Sequence, residues 1–121
     1  MQHASVAAMI LGRVLLAALF AAGVIQKWVA PEAAQALLSD RGWPVWLIWP
    51  AFVFNALGTV SLVFAVWLGP MAFALALYCM VTSLFHFLPD DPWQMSIFVK
   101  NWAIAGGLLV LAAHEWDRPR G

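Results

Sequence analysis

The residues of this chain that could do chemistry are polar side chains that interrupt long apolar stretches. Ten of them form the candidate set: Arg13, Gln26, Lys27, Asn55, His86, Asp90, Asp91, Lys100, Asn101 and Glu115. An ionisable side chain within a membrane-spanning helix costs about 2.5–3.5 kcal/mol on insertion scales, so each one calls for a physical reason.

Eight members of the candidate set, all except Arg13 and Glu115, are predicted to gather at one end of a helix bundle. The ligand-binding part of the set comprises Gln26, Lys27, Asn55, His86, Lys100 and Asn101. The ion-pair part of the set comprises Asp90, Asp91, Arg13 and Glu115. Lysines and amides can hold an anionic or carbonyl-bearing ligand, and histidine exchanges protons near neutral pH, as quinone reduction requires. The competing interpretation is that these side chains only brace the helix ends.

Arg13 has a simpler role open to it. Its side chain can extend to the membrane surface or pair with Glu115.

Lys100 and His114 are predicted to lie on one face of the fourth span. They are fourteen residues apart, so they share one helix face to within about 40°. Ala103 and Gly107 lie on the stripe between them, and small residues favour close helix packing. This stripe is therefore predicted to face the bundle interior.

Four stretches are long and apolar enough to position these side chains across a bilayer, which takes about 20 residues each. The predicted spans are 5–29, 50–68, 71–88 and 95–113. Residues 31–49 read as an interfacial segment, with a surface helix over 31–39 and three tryptophans after it. Pro50 is predicted to open the second span, and Gly69-Pro70 to form a tight turn before the third. The whole chain, 1–121, is thus predicted as one all-α, integral membrane four-helix domain.

Composition supports the membrane assignment and excludes several functions. Of 121 residues, 64% are hydrophobic and 10% charged, too few charges to cover a water-facing surface. The formal net charge is zero, so nucleic-acid binding has no electrostatic support. The single cysteine, Cys79, excludes an internal disulfide and a CxxC redox motif. The three histidines do not suggest a metal site, and no catalytic arrangement is evident.

The predicted membrane orientation depends on the few arginines that lie outside the spans. Arg118 and Arg120 lie on the side of the termini, and Arg41 lies on the other. The positive-inside rule therefore favours cytoplasmic termini.

Three segments together resemble the DoxX family. The first span has Arg13 near its start and a Gly-x-x-x-Lys pattern from Gly23 to Lys27 at its end. The third ends in the Phe-His-Phe of 85–87, and residues 98–109 are similar to the family pattern F-x-K-N-x-A-x-x-G-G-L-L. One position departs from the family, because Asn55 stands where members commonly carry a glutamate.

The resemblance implies a small multi-pass protein of the bacterial inner membrane. Relatives often act beside redox enzymes, so it implies an accessory or anchor subunit of a membrane redox complex, with protein partners and a quinone as a possible ligand. The resemblance does not imply a protein that acts as an enzyme by itself. The alternative is an assembly or structural subunit without catalytic activity, in which the polar cluster only braces helices.

Overall fold

The computed structural model describes residues 2–117. Its regular structure is helical, with no strand among the described residues. Four helical segments are long and apolar enough to cross a membrane: His3–Val29, Val45–Phe64, Leu68–His86 and Pro92–Trp116. The predicted all-α class with four candidate spans is confirmed. Arg118 and Arg120, on which the predicted orientation depends, lie outside the described residues.

Large apolar side chains dominate the exposed surface of these helices. Val29 is 72% exposed, Val110 72% and Phe64 70%. Exposed apolar surface on this scale is unfavourable in water and neutral in hydrocarbon, and helices satisfy their own backbone groups there. The surface therefore suits contact with lipid.

The chain divides into two compact units, Met1–Val66 and Trp67–Gly121. The first contains α1 (Gln2–Val29), α2 (Glu32–Asp40), a 3-10 turn (Val45–Leu47) and α3 (Ile48–Phe64). The end of α1 packs against the start of α3, where the rings of Trp28 and Phe52 are 5.9 Å apart. The two long helices are therefore antiparallel.

Two helix starts in this unit differ slightly from the prediction. The surface helix begins at Glu32, after Pro31, and ends at Asp40. Helix α3 begins at Ile48, so Pro50 lies within its first turn and does not open it. Proline is tolerated there because the first N–H groups of a helix have no partner within it.

The turn after α3 lies earlier than predicted. Ala65 and Trp67 have positive φ angles of 58° and 51°, and α4 already begins at Leu68. The Ser61 hydroxyl donates to the carbonyl of Val66 at 2.6 Å, which satisfies a carbonyl just beyond the helix end. The prediction of a turn at Gly69-Pro70 is wrong, since both residues fit the first turn of a helix.

The second unit is an antiparallel pair, α4 (Leu68–Ser83) and α5 (Pro92–Trp116), joined through a 3-10 turn at Leu84–His86. A Cβ at Gly69, near the start of α4, would lie 3.3 Å from the Cβ of Glu115, near the end of α5. From this contact to the 3-10 turn, the two helices share a closely packed core. Its buried members are Ala72, Leu75, Ala76, Cys79, Ser83, Ala105, Leu108, Leu111 and Ala112.

Helix α5 starts at Pro92, three residues before the predicted start, because Asp91 caps it. The Asp91 carboxylate accepts from the backbone N–H groups of Trp93 and Gln94 at 3.1 and 3.3 Å. An N-cap of this kind stabilises a helix by about 1 kcal/mol. Helix α4 likewise ends before the predicted boundary, since the chain tightens into the 3-10 turn at Leu84.

Candidate functional site

The close approach of α1 and α3 at Gly23 creates the main polar site of the first unit. A Cβ added at Gly23 would lie 2.8 Å from Oδ1 of Asn55 and 3.6 Å from Nζ of Lys27. Glycine is therefore required for Asn55 to reach this position. The amide oxygen and the ammonium both lie within 4 Å of one point beside the α1 backbone.

Asn55 is held in place by the backbone of its own helix. Its side chain is 3% exposed, and its Nδ2 donates to the carbonyl of Ala51, one turn earlier. The Thr59 hydroxyl donates to the carbonyl of Asn55 at 2.8 Å. Because Nδ2 is engaged with Ala51, the amide presents its oxygen to the Gly23 side.

Aromatic rings lie next to this polar site. Trp28 follows Lys27, and its ring lies 5.9 Å from that of Phe52, which in turn contacts Trp49 edge-on at 6.2 Å. Trp28 is 71% exposed, so one of its faces is open. The Gly23 site, defined as Gly23, Lys27 and Asn55 with these rings beside it, combines a cationic donor, an amide acceptor and flat apolar surfaces.

The second unit holds a different polar pair, His86 and Gln94. Nδ1 of His86 lies 2.7 Å from Oε1 of Gln94. With the amide in this orientation, Nδ1–H donates to Gln94, and Nε2 of the neutral ring is the acceptor. The 3-10 turn positions His86, and the Asp91 cap places Gln94 in the first turn of α5.

Gln94 and Gly23 were not among the predicted site residues. A signal for Gln94 exists in the sequence, because Asp91 and Gln94 have the spacing of a capping box. The Gly-x-x-x-Lys pattern included Gly23, but only the structure shows that Asn55 packs on it.

The other predicted site residues are placed as follows. Gln26, Asp90, Asp91 and Lys100 are exposed, whereas Arg13, Asn101 and Glu115 are half-buried. The structure brings Lys27 to Asn55 in the first unit, and His86 to the start of α5 in the second. Two statements stay predictions: that the eight residues other than Arg13 and Glu115 gather at one end of the bundle, and that Arg13 pairs with Glu115.

The stripe from Lys100 to His114 does not face inward. Lys100, Ala103, Gly107 and His114 are all exposed, and no atom comes within 4 Å of a Cβ built on Gly107. The buried face of α5 is formed by Ala105, Leu108, Leu111 and Ala112 instead. Within the second unit, the prediction that the stripe faces the interior is wrong, because α4 packs on another face of α5.

The DoxX family model matches residues 8–88, about two thirds of the chain. The chain belongs to the DoxX family. With four apolar helices of membrane-spanning length, this DoxX-family chain is a multi-pass membrane protein. No curated protein and no solved structure matches it.

The matched range contains the Gly23 site and ends before α5. The Gly-x-x-x-Lys pattern of α1 therefore lies within the DoxX match, and in this chain it has a physical basis. The glycine admits Asn55, and the lysine one turn later brings its ammonium beside the same amide. The pattern in residues 98–109 lies outside the match.

Proposed function

We propose that this DoxX-family protein is an accessory membrane subunit of a redox complex and that it holds a quinone headgroup at the Gly23 site. One observation carries the proposal. The ammonium of Lys27 and the amide oxygen of Asn55 lie within 4 Å of the same point, at the end of α1.

The two groups match the two redox forms of the ligand. A quinone offers carbonyl oxygens, to which the Lys27 ammonium donates. A quinol offers hydroxyl groups, and the amide oxygen of Asn55 accepts from them. An amide oxygen has two lone pairs, so it accepts from a ligand in addition to a bond within the protein. The exposed ring of Trp28 provides an apolar face for the headgroup.

An accessory role fits the distribution of mass in the chain. Nearly all described residues lie in helices of membrane-spanning length or in the short segments that join them. A quinone-reducing enzyme needs an electron donor, and in this proposal a partner protein supplies it.

The second candidate is a structural or assembly subunit, and the burial of Asn55 favours it. A buried amide packed on a glycine of the neighbouring helix stabilises the helix pair whether or not a ligand binds. In that case the Gly23 site contributes to stability, and no quinone depends on it.

The quinone content of the purified protein distinguishes the two candidates. We expect the wild type, purified in mild detergent, to retain quinone, and Asn55→Leu to retain about tenfold less, because it removes the acceptor. Thr59→Val is the control, since it removes a hydroxyl one turn away that bonds only the helix backbone. Extraction and quantification by mass spectrometry give the result. Equal quinone in wild type and Asn55→Leu, or none in wild type, would rule out the quinone role.

A further inference from the structure

The ammonium of Lys100 is an exposed charge within an apolar helix. Lys100 lies eight residues after Pro92, about 12 Å along the axis of α5. Within the described part of the second unit, no hydrogen bond or ion pair holds this ammonium. A lysine at membrane depth is costly unless a counter-charge or water reaches it. The surroundings of α5 must therefore supply one.

The exposed side of α5 contains one continuous face along the helix. Six exposed residues follow one another at intervals of four and three: Ser96, Lys100, Ala103, Gly107, Val110 and His114. These intervals average 3.6 residues, the period of the α-helix, so the six residues lie on the same side over several turns. We call these six residues the Lys100 face.

Small side chains leave this face open to close approach. Ser96, Ala103 and Gly107 carry little or no side chain, and a Cβ at Gly107 would meet no atom within 4 Å. Close backbone approach strengthens van der Waals packing, which drives helix association in lipid. The face thus combines an unpaired cation with room for a helix beside it.

We propose that the Lys100 face binds a membrane-spanning helix of another protein, and that this helix carries an aspartate or glutamate at the depth of Lys100. The positive charge of Lys100 determines which kind of partner fits. The acidic residues of the described chain lie at or beyond the ends of its membrane-spanning helices: Glu32, Asp40, Asp90, Asp91, Glu115 and Asp117. The nearest along the chain, Asp91, is about 13 Å away along the axis, farther than a lysine stem extends.

A second copy of the chain does not supply the missing charge. Two copies in one membrane share the same orientation, so a symmetric contact through this face would place their Lys100 side chains at equal depth. Like charges repel strongly in a medium of low dielectric constant. A different protein with a carboxylate removes both problems.

The proposal rests on the proposed function in one respect, since an accessory subunit needs a partner. Its test can be kept separate, because cross-linking reports the partner protein and quinone content reports the ligand. Partner binding can fail while quinone binding persists, and the reverse is also possible.

Site-specific photocross-linking in native membranes tests the proposal. A benzophenone amino acid at Val110, on the face, is expected to form an adduct with one protein, through a peptide that contains Asp or Glu in an apolar segment. The same probe at Trp102 is the control, because Trp102 is exposed but lies about 120° from the centre of the face. It is expected to give at least about tenfold less of that adduct, since tenfold corresponds to 1.4 kcal/mol.

Variants then show whether charge and small size matter. Lys100→Met and Gly107→Leu should each lower the adduct about tenfold, whereas Lys100→Arg should keep it. Gly106→Leu is the matched control, because Gly106 is also exposed and without neighbours within 4 Å but lies about 80° from the centre of the face. Adducts only with lipid, with residues 2–66 of the same chain or with a second copy would overturn the proposal. So would an adduct that Lys100→Met leaves unchanged.

Discussion

Replacing Gly23 by alanine should lower the free energy of unfolding by about 1–3 kcal/mol, the usual cost of adding a methyl group where packing leaves no room. The new Cβ would lie 2.8 Å from Oδ1 of Asn55, a distance that forces one of them to move. The Asn55 side chain is buried and tied to Ala51, so it cannot turn away without breaking that bond. Thermal unfolding in detergent, followed by circular dichroism, measures the effect.

Gly12 of the same helix provides the matched control. No atom lies within 4 Å of a Cβ built there, so Gly12→Ala should be neutral or stabilise α1 by up to about 1 kcal/mol through its higher helix propensity. Equal unfolding temperatures for the two variants would show that the contact between Gly23 and Asn55 does not stabilise the helix pair.

Replacing Lys27 by methionine should weaken quinone binding about 10- to 100-fold. A hydrogen bond from a charged donor contributes about 1.5–3 kcal/mol, and methionine keeps the length and the apolar stem while removing the charge. Lys27→Arg should recover part of the affinity, because it restores a cationic donor. Titration of the purified protein with a soluble quinone analogue, followed by tryptophan fluorescence, gives the dissociation constant.

Arg13→Met is the control for this titration. Arg13 lies fourteen residues before Lys27 on the same helix, about 21 Å along the axis of α1, so its loss should leave quinone affinity unchanged. An equal loss of affinity in the Arg13 and Lys27 variants would show that net charge, and not the Gly23 site, governs binding.

The four spans could be predicted because a long run of apolar residues is enough to identify a membrane-spanning helix. Some 20 apolar residues in succession allow little besides a membrane-spanning helix. The ends of the helices are harder to predict from sequence, because caps and prolines at single positions decide where a helix begins. Pro50 and Pro70 were assigned to a helix start and to a turn, yet both lie within first turns, where the missing N–H costs nothing.

The candidate site could be predicted only in part. Lys27 and Asn55 were recognised as polar residues in apolar helices, but their meeting at Gly23 joins positions more than thirty residues apart. No periodicity within one helix contains that information. The stripe of Ala103 and Gly107 was assigned to the interior because small residues suit any close helix contact. The sequence does not say which helix packs on these small residues, because that depends on how the helices assemble.

Photoaffinity labelling of native membranes with an azido-quinone tests most directly whether a quinone binds at the Gly23 site. We expect the label to attach to the end of α1 or the start of α3, within residues 24–29 or 48–55. An excess of unlabelled quinone should compete it away, and Lys27→Met should abolish it. Labelling confined to residues 67–117, or labelling that quinone does not compete, would contradict a quinone site at Gly23.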